Sequence, residues 1–570
     1  MAPTAGILYV TMQPQASLPS AEFHDWYDNE HGPSRLRLPF VQNGFRYRAT
    51  DLDGDGGTAV EMMMPEWMAI YDVSDTAELA REPYTRLRTE GVQSQRERDV
   101  MSQIKVDRRI LDLVESREVD GFSPLEAVKK KGGKEEEEAE GNVLVAVSLS
   151  LYPGKARDEL DRWYGEEHIS MLSKIPGWRR TRRFVTSLVQ GTDEIEYLAL
   201  HEYAPRNGLG GEAFKAATST PWQQEIMTNL VREKRRRTYE LYYTFGAAPR
   251  DLSALSSVHV DSFISTDGRT WTVAACPEGS ASISSYVTTK DGVILPYSLE
   301  GSSEPDAPLI VLSNSILVDW GIWDGFVRTL LYSLRNWKYR ILRYHTRGRS
   351  GHCGDGPITL DVLAADVIAL LDALRVHQAA ALIGVSLGGA TALNTALKYP
   401  ERVAAFVSCD TNAKSPETNE KAWKERIAVA EKEGAKRGPD GGATVVGKEL
   451  AESTVNRWFA TSGDGQRESV KAMVENNSLD GFKKSVAALY DYDLRAEMRA
   501  CRVKGAFVVG SGDGALPGAM KQMAAEFGDG QGHGAEFAVI DGAGHLPMVE
   551  RPEEFTDFVI EFLAGESGID

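Results

Sequence analysis

The hydrophobic positions of this chain follow two different patterns. Beyond about residue 283, short unbroken apolar runs alternate with stretches of helical period: Leu309–Leu312, Tyr339–Tyr344, Ala380–Ile383, Val403–Cys409, Val503–Gly510 and Glu536–Ile540. Runs of that length read as strands buried on both faces, as in a parallel sheet covered by helices. Tyr286–Thr289 and Val293–Leu299 flank Lys290-Asp291-Gly292 and predict a hairpin ahead of that sheet. Between Asn412 and Arg495 the strand pattern gives way to helical periodicity. That predicts a cap over the C-terminal strand ends, where open sheets of this kind bind ligands.

The first 246 residues instead repeat themselves. Trp26-Tyr27-Asp28-Asn29-Glu30-His31 recurs as Trp163-Tyr164-Gly165-Glu166-Glu167-His168, and at the same offset Pro39 meets Pro176 and Tyr47 meets Phe184. Each copy opens on an alternating apolar run (Ile7–Met12; Val143–Leu149), followed by a helix carrying the aromatic-Glu-His box. Two strands follow (Phe45–Arg48 and Met68–Val73; Arg182–Thr186 and Tyr197–Tyr203), then a helix near Pro83 or Pro221 and a last strand (Arg109–Leu113; Arg237–Tyr243). This order predicts a ferredoxin-like sheet with one bare apolar face, so two such sheets should bury those faces against each other. The expected divisions are residues 1–128 and 142–246 as the two copies, 129–141 as a charged disordered linker, 247–282 as a connector, and 283–570 as an α/β domain with its cap at about 412–495.

Composition narrows the partners. The chain has 42% hydrophobic and 26% charged residues and a formal charge of −19, which disfavours a nucleic-acid partner. The basic clusters Arg179–Arg183 and Lys234–Arg237 fall inside patterned elements and read as solvated faces. Four widely spaced cysteines without a C-x-x-C pair fit a reducing compartment and no zinc site. Neither a signal peptide nor an apolar run of about 18 residues is evident, so a soluble cytoplasmic protein without a membrane partner is expected. No cofactor or metal is called for, and the partner is a small-molecule substrate.

Chemistry concentrates around Gly384-Val385-Ser386-Leu387-Gly388, set between an apolar run and a helix-forming stretch. A serine on a sharp strand-to-helix turn is exposed for attack, and the following helix N-terminus offers free N–H groups to a developing oxyanion. Asp513 and His545 follow in the order serine, acid, histidine, each just past a predicted strand, with Asp410 as the reserve acid. Residues from about 285 to 563 resemble the 3-oxoadipate enol-lactonase branch of the α/β-hydrolases. The shared blocks include Leu312-Ser313-Asn314-Ser315, Thr346-Arg347-Gly348, the serine turn, Cys409-Asp410-Thr411, Arg457-Trp458-Phe459 and Gly544-His545-Leu546. The resemblance implies Ser386 as nucleophile, His545 as general base then acid, Asp513 as its orienting carboxylate, and the N–H groups of Leu387 and Ile316 as oxyanion donors. Ser315, His345 and Trp458 are the candidates for substrate contact. The chain departs from the branch at Ile316-Leu317, at His345 where an aspartate is usual, and at Arg349-Ser350-Gly351-His352.

Residues 6–246 resemble a tandem EthD-like dimeric α/β barrel formed within one chain, through the Trp-Tyr-x-x-Glu-His box. That resemblance implies a possible second site at His31, His168 or both; the box also suits a purely architectural role, its histidine stabilised near a helix C-terminus. The sequence therefore predicts a serine hydrolase of a lactone or ester. Hydrolytic C–C cleavage by the same triad, and cofactor-free decarboxylation or cyclisation in the barrel, remain as alternatives, and the fusion hints at an aromatic or polyketide-type substrate of secondary metabolism.

Overall fold

A computed structural model describes residues 2–51, 65–127, 141–154, 157–255, 262–265, 267–273, 281–332, 338–349, 352–433, 444–460, 464–528 and 534–565. Most of the charged linker lies outside these residues. The chain divides into two compact units, Met1–Pro249 with Ile264–Gly268, and Arg250–Phe263 with Arg269–Asp570.

The first unit is a closed barrel of eight strands: β1 (Gly6–Pro14), β2 (Val41–Ala49), β3 (Trp67–Val73), β4 (Ile104–Glu118), β5 (Val143–Leu151), β6 (Trp178–Thr186), β7 (Tyr197–Tyr203) and β8 (Val231–Thr244). Their order is β1-β3-β2-β8-β5-β7-β6-β4, and every pairing is antiparallel. Each copy contributes four neighbouring strands. The two sets join edge to edge, through β2–β8 and β4–β6, as well as face to face. The barrel interior mixes side chains of both copies, among them Ile7, Tyr47, Met68, Leu144, Leu200 and Tyr239. Outside it, each copy packs its own helices on its own sheet, and Phe245, just after β8, joins the cluster of the first copy. The strands β4 and β8 run longer than their apolar cores predict because each pairs within its copy and across the seam. The helix expected near Pro83 forms later, at Gln95–Ser102, after two short 3₁₀ turns, and Ser94 caps it.

The basic cluster of β6 is not a solvated face. Arg179, Arg180, Arg182 and Arg183 are all buried, and they meet Glu202, Asp72, Glu115 and Asp161. In the second cluster Lys234 and Arg235 are exposed, but Arg237 is buried against Asp51. Sequence periodicity hid this because the cation and its carboxylate come from different elements. A buried charge survives only when paired. Arg46 carries the largest such debt: fully buried, it lies 2.7 Å from Asp28 and within 5.0 Å of the Phe23, Tyr27, Trp67 and Tyr242 ring centroids. Arg46→Leu would remove the guanidinium from beside the buried Asp28 carboxylate, and should lower the stability of this unit by about 3–5 kcal/mol in urea unfolding.

The second unit holds a ten-stranded sheet: β9 (Ser262–Ile264), β10 (Trp271–Val273), β11 (Ser282–Thr288), β12 (Ile294–Gly301), β13 (Leu309–Ser313), β14 (Arg340–Tyr344), β15 (Ala381–Val385), β16 (Ala405–Cys409), β17 (Lys504–Gly510) and β18 (Glu536–Ile540). The order is β18-β17-β16-β15-β13-β14-β12-β11-β10-β9, parallel from β18 through β14 and antiparallel from β14 through β12 and β11 to β10. The central strands are buried along their whole length, as unbroken apolar runs require. Between β16 and β17 the chain forms helices at Asn419–Lys432, Lys448–Trp458, Asp464–Glu475, Leu479–Val486 and Arg495–Ala500. Among the described residues no helix is long and apolar enough to cross a membrane.

Candidate active site

The parallel strands deliver the candidate residues to one edge of the sheet. His345 follows β14, Ser315 and Ile316 follow β13, Ser386 follows β15, Asp410 follows β16, Asp513 follows β17 and His545 follows β18. Because β14, β13, β15, β16, β17 and β18 are consecutive neighbours, these loops line up side by side.

Ser386 sits at φ 58° and ψ −116°, between β15 and the helix Leu387–Lys398, and is partly exposed. An L-residue in that region costs on the order of 1–3 kcal/mol and is held there by its surroundings. The flanking glycines are needed for space. A Cβ on Gly384 would strike the Gly388 carbonyl, and one on Gly388 would strike the Ser313 and Asn314 carbonyls. The Ser386 N–H donates to the Cys409 carbonyl at 2.8 Å, which ties the turn to β16. Leu387 opens the helix and is buried; Ile316 is buried too, ahead of Leu317 at φ 72°.

His545 Nδ1 lies 2.6 Å from Asp513 Oδ2. The Trp458 ring stacks on the His545 imidazole, centroids 5.3 Å apart, and its carbonyl accepts the His545 N–H at 2.7 Å. Glu550, which the sequence did not single out, accepts N–H groups from Gly544 and Ala460 and so ties the histidine loop to the cap loop. Trp458 thus supports the histidine directly.

Asp410 is fully buried beside this pair. Its Oδ1 accepts the Gly510 N–H at 3.0 Å, and its Oδ2 has no donor among the described residues. Burial, then the Asp513 charge, pushes the Asp410 carboxyl well above its ordinary range, so it carries a proton that it donates to Asp513. Burial also pushes Asp513 upward, but His545 and the hydrogen bonds from His545 and Asp410 outweigh it and hold Asp513 below the usual value. Polar atoms of Asp410, Asp513 and His545 all lie within 4.8 Å of one another, close enough for a shared metal. With Asp513 ionised, Nδ1 carries the proton of that hydrogen bond and has no lone pair to offer a cation there.

Ser315 Oγ is buried and without a hydrogen-bond partner among the described residues. His345 stacks on Trp320 at 3.9 Å, and burial lowers it to about 4, with Asp319 opposing and Arg349 assisting; it is neutral at pH 7. Asn314 is a hydrogen-bonded strut, donating to the Tyr344 carbonyl and accepting from Trp323.

Residues 310–558 match the alpha/beta hydrolase family, and this part of the chain is an α/β hydrolase. Within that class it resembles 3-oxoadipate enol-lactonase. It is 28% identical to 3-oxoadipate enol-lactonases 1 and 2 of Acinetobacter baylyi, over 49% and 48% of this chain and 96% and 93% of theirs. A solved enol-lactonase from Burkholderia xenovorans LB400 is 28% identical, with a TM-score of 0.41 over 49% of this chain and 99% of that one.

His31 and His168 lie in the other unit, and neither is at a helix C-terminus. Each ends a π-helical turn, Trp26–His31 or Tyr164–His168, that continues into a further helix, Gly32–Leu36 or Ile169–Leu172. The expected dipole contact is therefore absent, and both histidines are lowered, mainly by burial. The glutamates of the two boxes share a role: Glu30 accepts from Ser94 and Glu167 from Thr220, the residues that cap the next helix in each copy. Burial also holds His168 at about 3. Above pH 6.5 it is neutral both folded and unfolded, so its contribution is then constant. Between 6.5 and 3 the unfolded chain takes up a proton that the fold refuses, and stability falls with pH. The barrel should lose roughly 2 kcal/mol by pH 5 from this group alone. His168→Gln should flatten that slope in urea midpoints taken from pH 7.5 to 4.5.

Proposed function

We propose that the protein is a serine hydrolase that opens a lactone or cleaves an ester of a small substrate through an acyl-enzyme. Ser386 attacks the carbonyl while His545 takes its proton, and Asp513 holds the imidazole in place. The N–H groups of Leu387 and Ile316 receive the oxyanion. His545 then protonates the leaving oxygen and activates water to release the acid. Ser315, His345 and Trp458 border the space in which the substrate is held. The reading rests above all on the 2.6 Å contact between His545 and Asp513, two loops from a serine held in a strained turn. An enol-lactone is the favoured substrate class by similarity to the Acinetobacter enzymes. Its leaving group is an enol, whose low basicity makes ring opening easier than alkoxide departure.

The barrel half is proposed to be a tandem of ferredoxin-like, EthD-like copies. The strand order within each, β4-β1-β3-β2 and β8-β5-β7-β6, supports that reading.

Intact-mass measurement after treatment with a serine-directed fluorophosphonate tests the hydrolase. One adduct is expected, located by peptide mapping to Ser386. A protein that stays unlabelled while a control serine esterase reacts would overturn the assignment.

A further inference from the structure

The two copies of the barrel have the same backbone but different chemistry behind their boxes. Register defines the matching positions. Gly6 pairs with Val73 and Asp112 as Val143 pairs with Tyr203 and Glu240. By that alignment Tyr71 matches His201, Arg108 matches Arg236, and Val106 matches Lys234. The repeat offset matches Arg35 with Leu172. The capped helices match Glu97 with Gln223, each giving its N–H to the capping hydroxyl.

In the first copy these positions close on one another. Glu97 accepts from Trp26 at 2.6 Å, lies 3.0 Å from His31 Nδ1 and 3.5 Å from Arg35. Tyr71 bonds to Tyr27, and Phe245 stacks on both rings. In the second copy the carboxylate has become Gln223 and the arginine Leu172, and a cavity of about 360 Å³ lies between sheet and helices. Trp163, Tyr164, Tyr203 and Phe214 form its aromatic walls, and His168, His201, Lys234 and Arg236 its polar ones. No aspartate or glutamate is among the described residues that line it. Both imidazoles are neutral at pH 7, lowered chiefly by burial, and His168 bonds to the Ala217 carbonyl. The fixed charge on the walls is therefore positive.

We propose that the cavity of the second copy binds a planar organic anion, an aromatic or enolic carboxylate, between its aromatic walls, with Lys234 and Arg236 meeting the carboxylate. Its volume lies at the lower end of ligand pockets and suits one or two rings. A charge-assisted contact at a partly buried site supplies the discrimination against a neutral ring. In the first copy Glu97 and Tyr71 stand at the matching positions and bond to His31, Arg35 and Tyr27, so one site per chain is expected.

Titration calorimetry on the full chain, with 2-naphthoate as the probe and 2-naphthalenemethanol as its neutral counterpart, tests this. The acid should bind at one site per chain, at least about tenfold more tightly than the alcohol. Gln223→Glu, which places the carboxylate of the first copy in the cavity, should weaken the acid by about tenfold or more, as should Lys234→Gln. Ser386→Ala should leave binding unchanged, which separates this site from the hydrolase. Thermal unfolding reports whether each variant is folded. If Gln223→Glu does not fold, Lys234→Gln decides, because Lys234 is exposed at the cavity rim. Equal affinity for acid and alcohol, unaltered binding in folded Lys234→Gln, or no saturable heat into the millimolar range would each overturn the proposal.

Discussion

Ser386→Ala should leave a folded protein whose ester or lactone turnover falls by on the order of 10⁶-fold, and His545→Ala should be about as severe. In the proposed mechanism the pair acts as a unit, so the double variant should lose no more than either single one. Turnover of a chromogenic ester under saturating conditions, beside urea unfolding, measures both quantities. Ser386 also stores strain at φ 58°. Ser386→Gly can adopt that backbone without a Cβ clash, and should gain about 1 kcal/mol in stability after the extra chain entropy of glycine is subtracted. An inactive but stabler glycine variant is what a serine held strained for its chemistry predicts. A Ser386→Ala protein that keeps a tenth or more of parental turnover would remove Ser386 from the mechanism.

What the sequence revealed follows from which interactions are local. The serine turn was legible because β15, the turn and the helix Leu387–Lys398 are contiguous, and the glycine spacing reports the close approach of Gly384 to Gly388. The strands β13, β15 and β16 were legible because burial on both faces leaves them no polar positions. The barrel's repeat was visible in its boxes, but its edge-to-edge closure was not, since nothing local in β2 or β4 announces a partner more than 60 residues away. The buried arginines of β6 misled for the same reason. Their carboxylates lie on β3, β4, β7 and a helix, so a run of cations looked like solvent-facing surface. His31 and His168 shared a motif, yet their surroundings diverge at Glu97 and Gln223, residues far along the chain that no repeat pattern had paired. Asp410 was noted as an alternative acid. Its contact with Asp513 was hidden because the two follow different strands with the whole cap between them.

The two aspartates make the sharpest remaining test, because their environments assign them opposite protonation states. Asp513 is held ionised against His545, and Asp410 is held protonated by burial and by the Asp513 charge. Asp513→Asn places an amide where the imidazole N–H needs an anion, favours the wrong tautomer, and should cost on the order of 10⁴-fold in kcat. Asp410→Asn keeps an N–H donor toward Asp513 and should stay within roughly tenfold of the parent. Asp410→Leu removes that donor without adding charge. Asp513 then loses a hydrogen bond that favours its ionised form and holds the imidazole proton more strongly, so the His545–Asp513 pair gives up its proton later and the acid limb of the kcat/KM profile moves to higher pH. A carboxyl that only filled space would lower stability in Asp410→Leu and leave the profile in place. The pH dependence therefore separates positioning from packing, with urea unfolding reporting the packing loss. Should Asp410→Asn prove far more damaging than Asp513→Asn, the orienting acid is Asp410, and the roles of the two strand ends must be exchanged.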